Sequence, residues 1–185
     1  MRARREQRGF TLLELVLVLA LLALAASAML DGGASAEARA RLDHAAGEVA
    51  AALRFARDES VRTGLRHGVE VDPATERVRL FHLEPGSVIP VYDVHHPVDH
   101  RLYDWVVGVA PGTAGVAVDD RGFTYHGDPL GLPLAQVQFD DTGTPALRGL
   151  LGDYLLSDGL VRLVGADGEQ REVRVEPITG WVSVQ

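Results

Sequence analysis

Between residues 10 and 30 the chain is apolar except at Thr11, Glu14 and Ser27. A run of this kind can satisfy its backbone polar groups away from water only as a helix. Its 21 residues, at about 1.5 Å each, reach roughly 30 Å, the thickness of a hydrocarbon core. Leu and Ala predominate, which favours the helix. Arg2, Arg4, Arg5 and Arg8 precede the run, and no basic residue follows until Arg39. The asymmetry predicts a single pass with the N-terminus in the cytoplasm and the remainder outside.

Glu14 is what a plain anchor does not explain. A charged residue near the centre of a span costs about 2.5–3.5 kcal/mol on insertion scales, and less toward the interface. A cleaved secretory signal also starts basic and apolar, and Ala26-Ser27-Ala28 has the small residues of a cleavage site. The apolar region of such a signal is about 7–15 residues, shorter than this run. An isolated carboxylate in an otherwise clean span therefore marks a function.

Beyond the run, Asp31-Gly32-Gly33 predicts a break or kink in the helix. Helical pattern resumes at Ala36. Leu42, Ala46, Val49, Leu53, Ala56 and Ser60 recur at alternating spacings of four and three, which is one helix face directed at a core. Gly64 is placed to end the helix. Short extended runs follow at 68–71, 77–82, 88–91, 105–109, 115–118, 135–139, 159–164, 172–176 and 181–184. Turn residues separate them, including Asp72-Pro73-Ala74-Thr75 and Gly165-Ala166-Asp167-Gly168. In the last three runs apolar and polar residues alternate, as in an antiparallel sheet with one wet face. The order predicts an α+β fold: a long N-terminal helix whose second half packs on an antiparallel sheet head. The divisions are a basic leader at 1–9, a transmembrane helix at 10–30, a continuation of that helix at 31–64, and a β-rich head at 65–185. The stretch from Pro85 to Pro133 reads as long loops or variable strands. The chain has no cysteine, which excludes thiol chemistry and Cys-based metal sites.

The arginine-rich leader followed by Gly9-Phe10-Thr11-Leu12-Leu13-Glu14 and an apolar stretch resembles the class III signal of type IV pilins and type II secretion pseudopilins. More narrowly, three later segments resemble the H-type (GspH/FimT) group. They are the helix end Phe55-Ala56-Arg57-Asp58-Glu59-Ser60-Val61-Arg62-Thr63-Gly64, the strand and turn Val137-Gln138-Phe139-Asp140-Asp141-Thr142-Gly143, and the closing Val173-Arg174-Val175-Glu176-Pro177-Ile178-Thr179-Gly180-Trp181-Val182. The resemblance implies cleavage between Gly9 and Phe10 by a membrane aspartyl prepilin peptidase, which also methylates the new terminus to N-methylphenylalanine. It implies a minor pseudopilin in the inner membrane with a periplasmic head, assembling with major and minor pseudopilins and an inner-membrane platform to export folded proteins. Glu14 would then pair with the Phe10 amine of a neighbouring subunit, and its presence implies an ordinary filament subunit rather than the tip. A minor pilin of a type IV pilus, acting in fibre priming or DNA uptake, is the alternative within the class. Loss of the leader leaves 14 basic and 25 acidic residues and a net charge of −11. Such a balance argues against a general affinity for nucleic acid.

Two other motifs carry chemistry. Asp141-Thr142-Gly143 is the tripeptide of aspartic proteases, and a membrane-tethered aspartic hydrolase is the remote alternative. That chemistry needs two carboxylates sharing a proton, and the chain after Gly143 is too short for the flap and strands of a protease lobe. A turn built from Asp, Thr and Gly is the simpler reading. Asp93, His95, His96, Asp99 and His100 are residue types that bind zinc. Pro97 disfavours the helix that the His96–His100 spacing would need, so the cluster reads as a solvated loop. No nucleotide-binding fingerprint occurs, and no cofactor or metal is implied.

Overall fold

The structure, a computed structural model, describes residues 11–128 and 131–185, with the backbone alone at 25–33. Helix α1 runs Leu12–Thr63, followed by β1 Arg66–Asp72, β2 Arg77–Leu83, β3 Pro90–Val91, β4 Asp104–Val106, β5 Ala117–Tyr125, β6 Gln136–Phe139, β7 Ala146–Gly149, β8 Gly152–Val164, β9 Gln170–Val175 and β10 Val182–Val184. The chain divides into two compact units, residues 1–37 and 38–185, so α1 contributes to both.

In the second unit the predicted stripe is the core. Leu42, Ala46, Val49, Leu53, Ala56 and Ser60 are all fully buried. All but Ser60 join one apolar cluster with Val69, Val71 and Val78 of the first sheet and Val161, Leu163 and Val173 of the second. The strands form two five-stranded antiparallel sheets rather than one. The first has the order β3-β2-β1-β6, with β4 also on β2. The second has the order β10-β9-β8-β5, with β7 also on β8. The alternation expected in 159–164 and 172–176 is present: Val161, Leu163, Val173 and Val175 point inward while Arg162 and Arg174 stay partly exposed.

The helix ends where Gly64 predicts. Gly64 takes a φ of 69° and its N–H donates to the Ser60 carbonyl at 2.9 Å, the left-handed close that glycine permits. Ser60 then joins helix to sheet. Its hydroxyl donates to the Ala56 carbonyl at 2.8 Å and accepts the His67 N–H at 3.0 Å. At the other end of the packed stretch, Arg39 pairs with Glu169, and Arg171 with Asp43 at 2.7 Å, tying α1 to the β8–β9 turn and the start of β9.

Two expectations change. The helix continues through Asp31-Gly32-Gly33 without interruption. Each glycine costs about 1 kcal/mol in a helix but, unlike proline, keeps its N–H. The stretch from Pro85 to Pro133 holds β3, β4 and all of β5, which overlap the expected runs at 88–91, 105–109 and 115–118. β5 itself extends to Tyr125 across a bulge at Val118/Asp120. No helix among the described residues is long and apolar enough to cross a membrane, and the expected span at 10–30 lies partly outside them. Of the apolar run, the side chains from Leu12 to Leu24 are described; at 1.5 Å per residue these span about 20 Å, short of the roughly 30 Å needed.

Candidate functional site

Gly9 and Phe10, the predicted cleavage pair, lie outside the described residues. The described chain starts at Thr11, and Thr11 caps α1. Its carbonyl accepts the Leu15 N–H at 3.1 Å and its hydroxyl accepts the Glu14 N–H at 3.3 Å. Thr11 and Glu14 thus hold the first and fourth positions of a Thr-x-x-Glu capping sequence. The carboxylate of Glu14 is exposed in the first turn, where the helix dipole favours negative charge. Around it the helix is apolar on every side: Leu12, Leu13, Leu15, Val16, Leu17 and Val18 are all exposed. A helix that is apolar all round belongs among other helices or lipid.

In the head, the three segments singled out by their sequence meet in space. Arg57 and Val61 on α1 face the β6–β7 turn at Gly143, and Arg57 also faces the β9–β10 turn at Gly180. In the first turn the carboxylate that works is Asp140, whose Oδ1 accepts the backbone N–H groups of Thr142 and Thr144, both at 2.9 Å. Asp141 is exposed on that turn. The motif that mimics a protease tripeptide therefore serves as a hydrogen-bonded turn.

The 93–100 cluster lies in a loop between β3 and β4, where Asp93, His95, Asp99 and His100 are exposed, as expected, and His96 is half-buried. His82 Nδ1 lies 2.8 Å from Asp93, and His96 Nδ1 lies 3.4 Å from Asp99. His96 packs edge-on against Tyr103 at 4.7 Å, and Tyr103 packs on Phe55 of α1 at 5.6 Å. Burial, helped by Glu48, pushes the Tyr103 hydroxyl up to about 12. Among the described residues no group of three or more His, Asp or Glu is placed to hold a metal ion.

Sequence reasoning missed Gln138. Strand alternation gives no reason to bury it, yet it is 1% exposed and its Oε1 accepts the Arg148 N–H at 2.9 Å. Arg66 donates to the Ala146 carbonyl at 2.8 Å on the same strand. Two side chains thus occupy backbone groups of β7, which among the described strands pairs with β8 alone.

Comparison with known proteins bears on both ends of the chain. A family model described as the prokaryotic N-terminal methylation motif matches residues 4–30. The chain is 42% identical over 77 residues to the type II secretion system protein H of Xanthomonas campestris pv. campestris, a match covering 40% of this chain and 44% of the relative. The similarity therefore spans less than half of the relative's length. Two structures of the minor pseudopilin EpsH from the type II secretion system of Vibrio cholerae share the fold. One gives a TM-score of 0.50 at 15% identity, covering 78% of this chain and 96% of that one. The other gives 0.52 at 12% identity, covering 78% and 92%. An N-terminal methylation motif thus precedes a chain with the pilin-like fold of the EpsH structures, part of which is similar to a type II secretion system protein H.

Proposed function

We propose that this chain is a minor pseudopilin of a type II secretion system, with a structural rather than enzymatic role. The observation that carries the reading is the start of α1. The methylation motif at 4–30 coincides with a helix capped at Thr11 that displays Glu14 in its first turn within an apolar surface. In this reading a prepilin peptidase cuts between Gly9 and Phe10 and methylates Phe10. Residues 10–30 hold the subunit in the inner membrane, and the head lies in the periplasm. Other pseudopilins, major and minor, surround the apolar helix once the inner-membrane platform has drawn it into the filament.

Glu14 then has a defined task. Cleavage creates a cationic amine at Phe10, and Glu14 of one subunit neutralises the amine of its neighbour. Inside a helical bundle, removing one partner strands the other at a cost of about 3–5 kcal/mol. The test expresses the full chain with its secretion machinery and compares it with Glu14→Ala. The expected outcome is normal leader removal, read as a methylated Phe10 terminus by mass spectrometry, with loss of the variant from sheared filaments. Wild-type incorporation of Glu14→Ala would overturn the assembly role, and an uncut Gly9–Phe10 bond would overturn the processing.

A further inference from the structure

The chain sets 18 arginines against 26 carboxylates, so each arginine has acid to draw on. Arg66, Arg77, Arg79, Arg162 and Arg171 each hydrogen-bond a carboxylate. Arg57 does not. Its ion-pair partner among the described residues is Asp58, at 3.8 Å from Nη1 and with 73% of that side chain exposed. Adjacent side chains on a helix do not face each other, which keeps this pair loose. The Nε of Arg57 is buried and has no acceptor among the described residues. A guanidinium carries five N–H donors, and a buried donor left unmet is costly.

Packing holds Arg57 in place. Its Cγ and Nε lie 3.3 Å from where a methyl on Gly143 would stand, and its Cδ and Nε lie 3.2 and 3.3 Å from the same point on Gly180. The stem is clamped between α1 and two turns, while 31% of the side chain remains open to water. Since the stem and Nε are against the turns, that open part lies toward the terminal nitrogens. Arg54 and Val61 sit three residues before and four after, on the same row of α1. Arg54 is exposed, donates to the Val182 carbonyl at 3.0 Å and has no carboxylate partner among the described residues. Val61 is 54% exposed. The row thus presents two cations lacking a close carboxylate and one apolar side chain.

The acids around the row are engaged or turned elsewhere. Glu59 holds Arg62. Asp140 accepts the Thr142 and Thr144 N–H groups. Asp141 lines the cavity beside Gly64, Arg66 and Arg148. Glu176, exposed just after β9, forms no ion pair with Arg54 or Arg57 among the described residues. An anion from outside would complete the site. The processed chain carries −11, so an anionic lipid surface repels the head as a whole. A single carboxylate on a protein reaches the row without meeting that field, and the planar guanidinium suits it geometrically. Arginine at the centre of a contact, with apolar area beside it, is also the usual make-up of a protein interface.

We propose that Arg57, supported by Arg54, receives a carboxylate of a different protein that assembles with this chain. The partner's being another filament subunit rests on the minor-pseudopilin reading, since a minor subunit has no run of its own copies to pair with. The chain has no lysine, so Arg57→Lys introduces its one side-chain amine and keeps the charge. A carbodiimide, which joins an amine to a carboxylate without a spacer, is applied to membranes holding the full chain and its secretion machinery. Asp58→Asn in the same chain removes the internal competitor. The expected product is an adduct with one other protein, several-fold above that from Arg101→Lys, an exposed arginine elsewhere on the head. Mass spectrometry locates the joined Asp or Glu, and changing it to its amide should abolish the adduct. A yield no greater than that of Arg101→Lys, linkage to a second copy of this chain, or an adduct that survives the amide change would overturn the proposal. Recovery of the same variant in sheared filaments checks the underlying reading separately. Filaments without the adduct remove the contact alone; an adduct from a chain absent from filaments keeps the contact and removes the filament subunit as its partner.

Discussion

A methyl group placed on Gly180 would stand 2.5 Å from the carbonyl oxygen of Gly143 and 3.2 Å from Arg57 Cδ. Gly180 also has a φ of 64°. The β9–β10 turn is thus seated directly on the β6–β7 turn, with α1 beneath both. Gly180→Ala should destabilise the head by about 2–3 kcal/mol, from left-handed strain plus displacement of the neighbouring turn. Gly168→Ala separates the two effects. Its φ is 82° but its Cβ would meet nothing within 4 Å, so only strain remains, about 1–2 kcal/mol. Thermal unfolding of both variants measures the difference, and equal losses would show that the contact carries nothing.

The buried amide of Gln138 gives a second expectation. Gln138→Leu keeps the side chain's bulk but leaves the Arg148 N–H without its acceptor. The loss should be about 1–3 kcal/mol, the penalty for an unmet buried donor. Hydrogen exchange at the Arg148 amide should speed up more than at neighbouring amides, and unchanged protection there would refute the pairing.

Leu53 tests the core. It is fully buried on α1 in the cluster that both sheets share. Leu53→Ala should cost about 2–5 kcal/mol. Exposed Leu132→Ala, whose side chain is 63% accessible, should stay within about 0.5 kcal/mol. Denaturant midpoints compare the two.

His67 sets a pH dependence. It is 6% exposed, and burial pushes its imidazole below the ordinary value, against smaller opposing effects from the Leu65 carbonyl and Glu59. The unfolded chain therefore takes up a proton first. The stabilising contribution is complete above the unfolded value of about 6.5 and is lost as pH falls through the lower folded value. Glu59, held below its usual range by its hydrogen bond to Arg62, loses its own contribution at a lower pH. Melting temperatures read stepwise from about pH 7.5 to 5 should decline, and His67→Gln should flatten that slope.

Much of this was legible in the sequence for identifiable reasons. The stripe from Leu42 to Ser60 repeats with the helical period, and burial selects for that period, so pattern and core coincide. The strands at 159–164 and 172–176 carry inward valines against outward arginines and were equally visible. β7 was not. It is four residues long, and its turn, made of two leucines, lacks the residues that signal a hairpin. The middle of β5 was hidden because Asp119 and Asp120 are exposed there and a bulge breaks the alternation. Asp31-Gly32-Gly33 misled in the other direction, since glycine weakens a helix without forbidding it. The convergence of Arg57, Gly143 and Gly180 depends on contacts between segments more than 35 residues apart, which no local pattern encodes.

The burial of α1 from Leu42 to Ser60 also has a mechanical meaning. Tension arriving along the helix axis cannot peel the head away one contact at a time. It must slide an entire row of side chains past two sheets at once, and the pairings of Arg39 with Glu169 and of Arg171 with Asp43 meet the load first. Shear spread over many parallel contacts resists force far better than the same contacts opened in series.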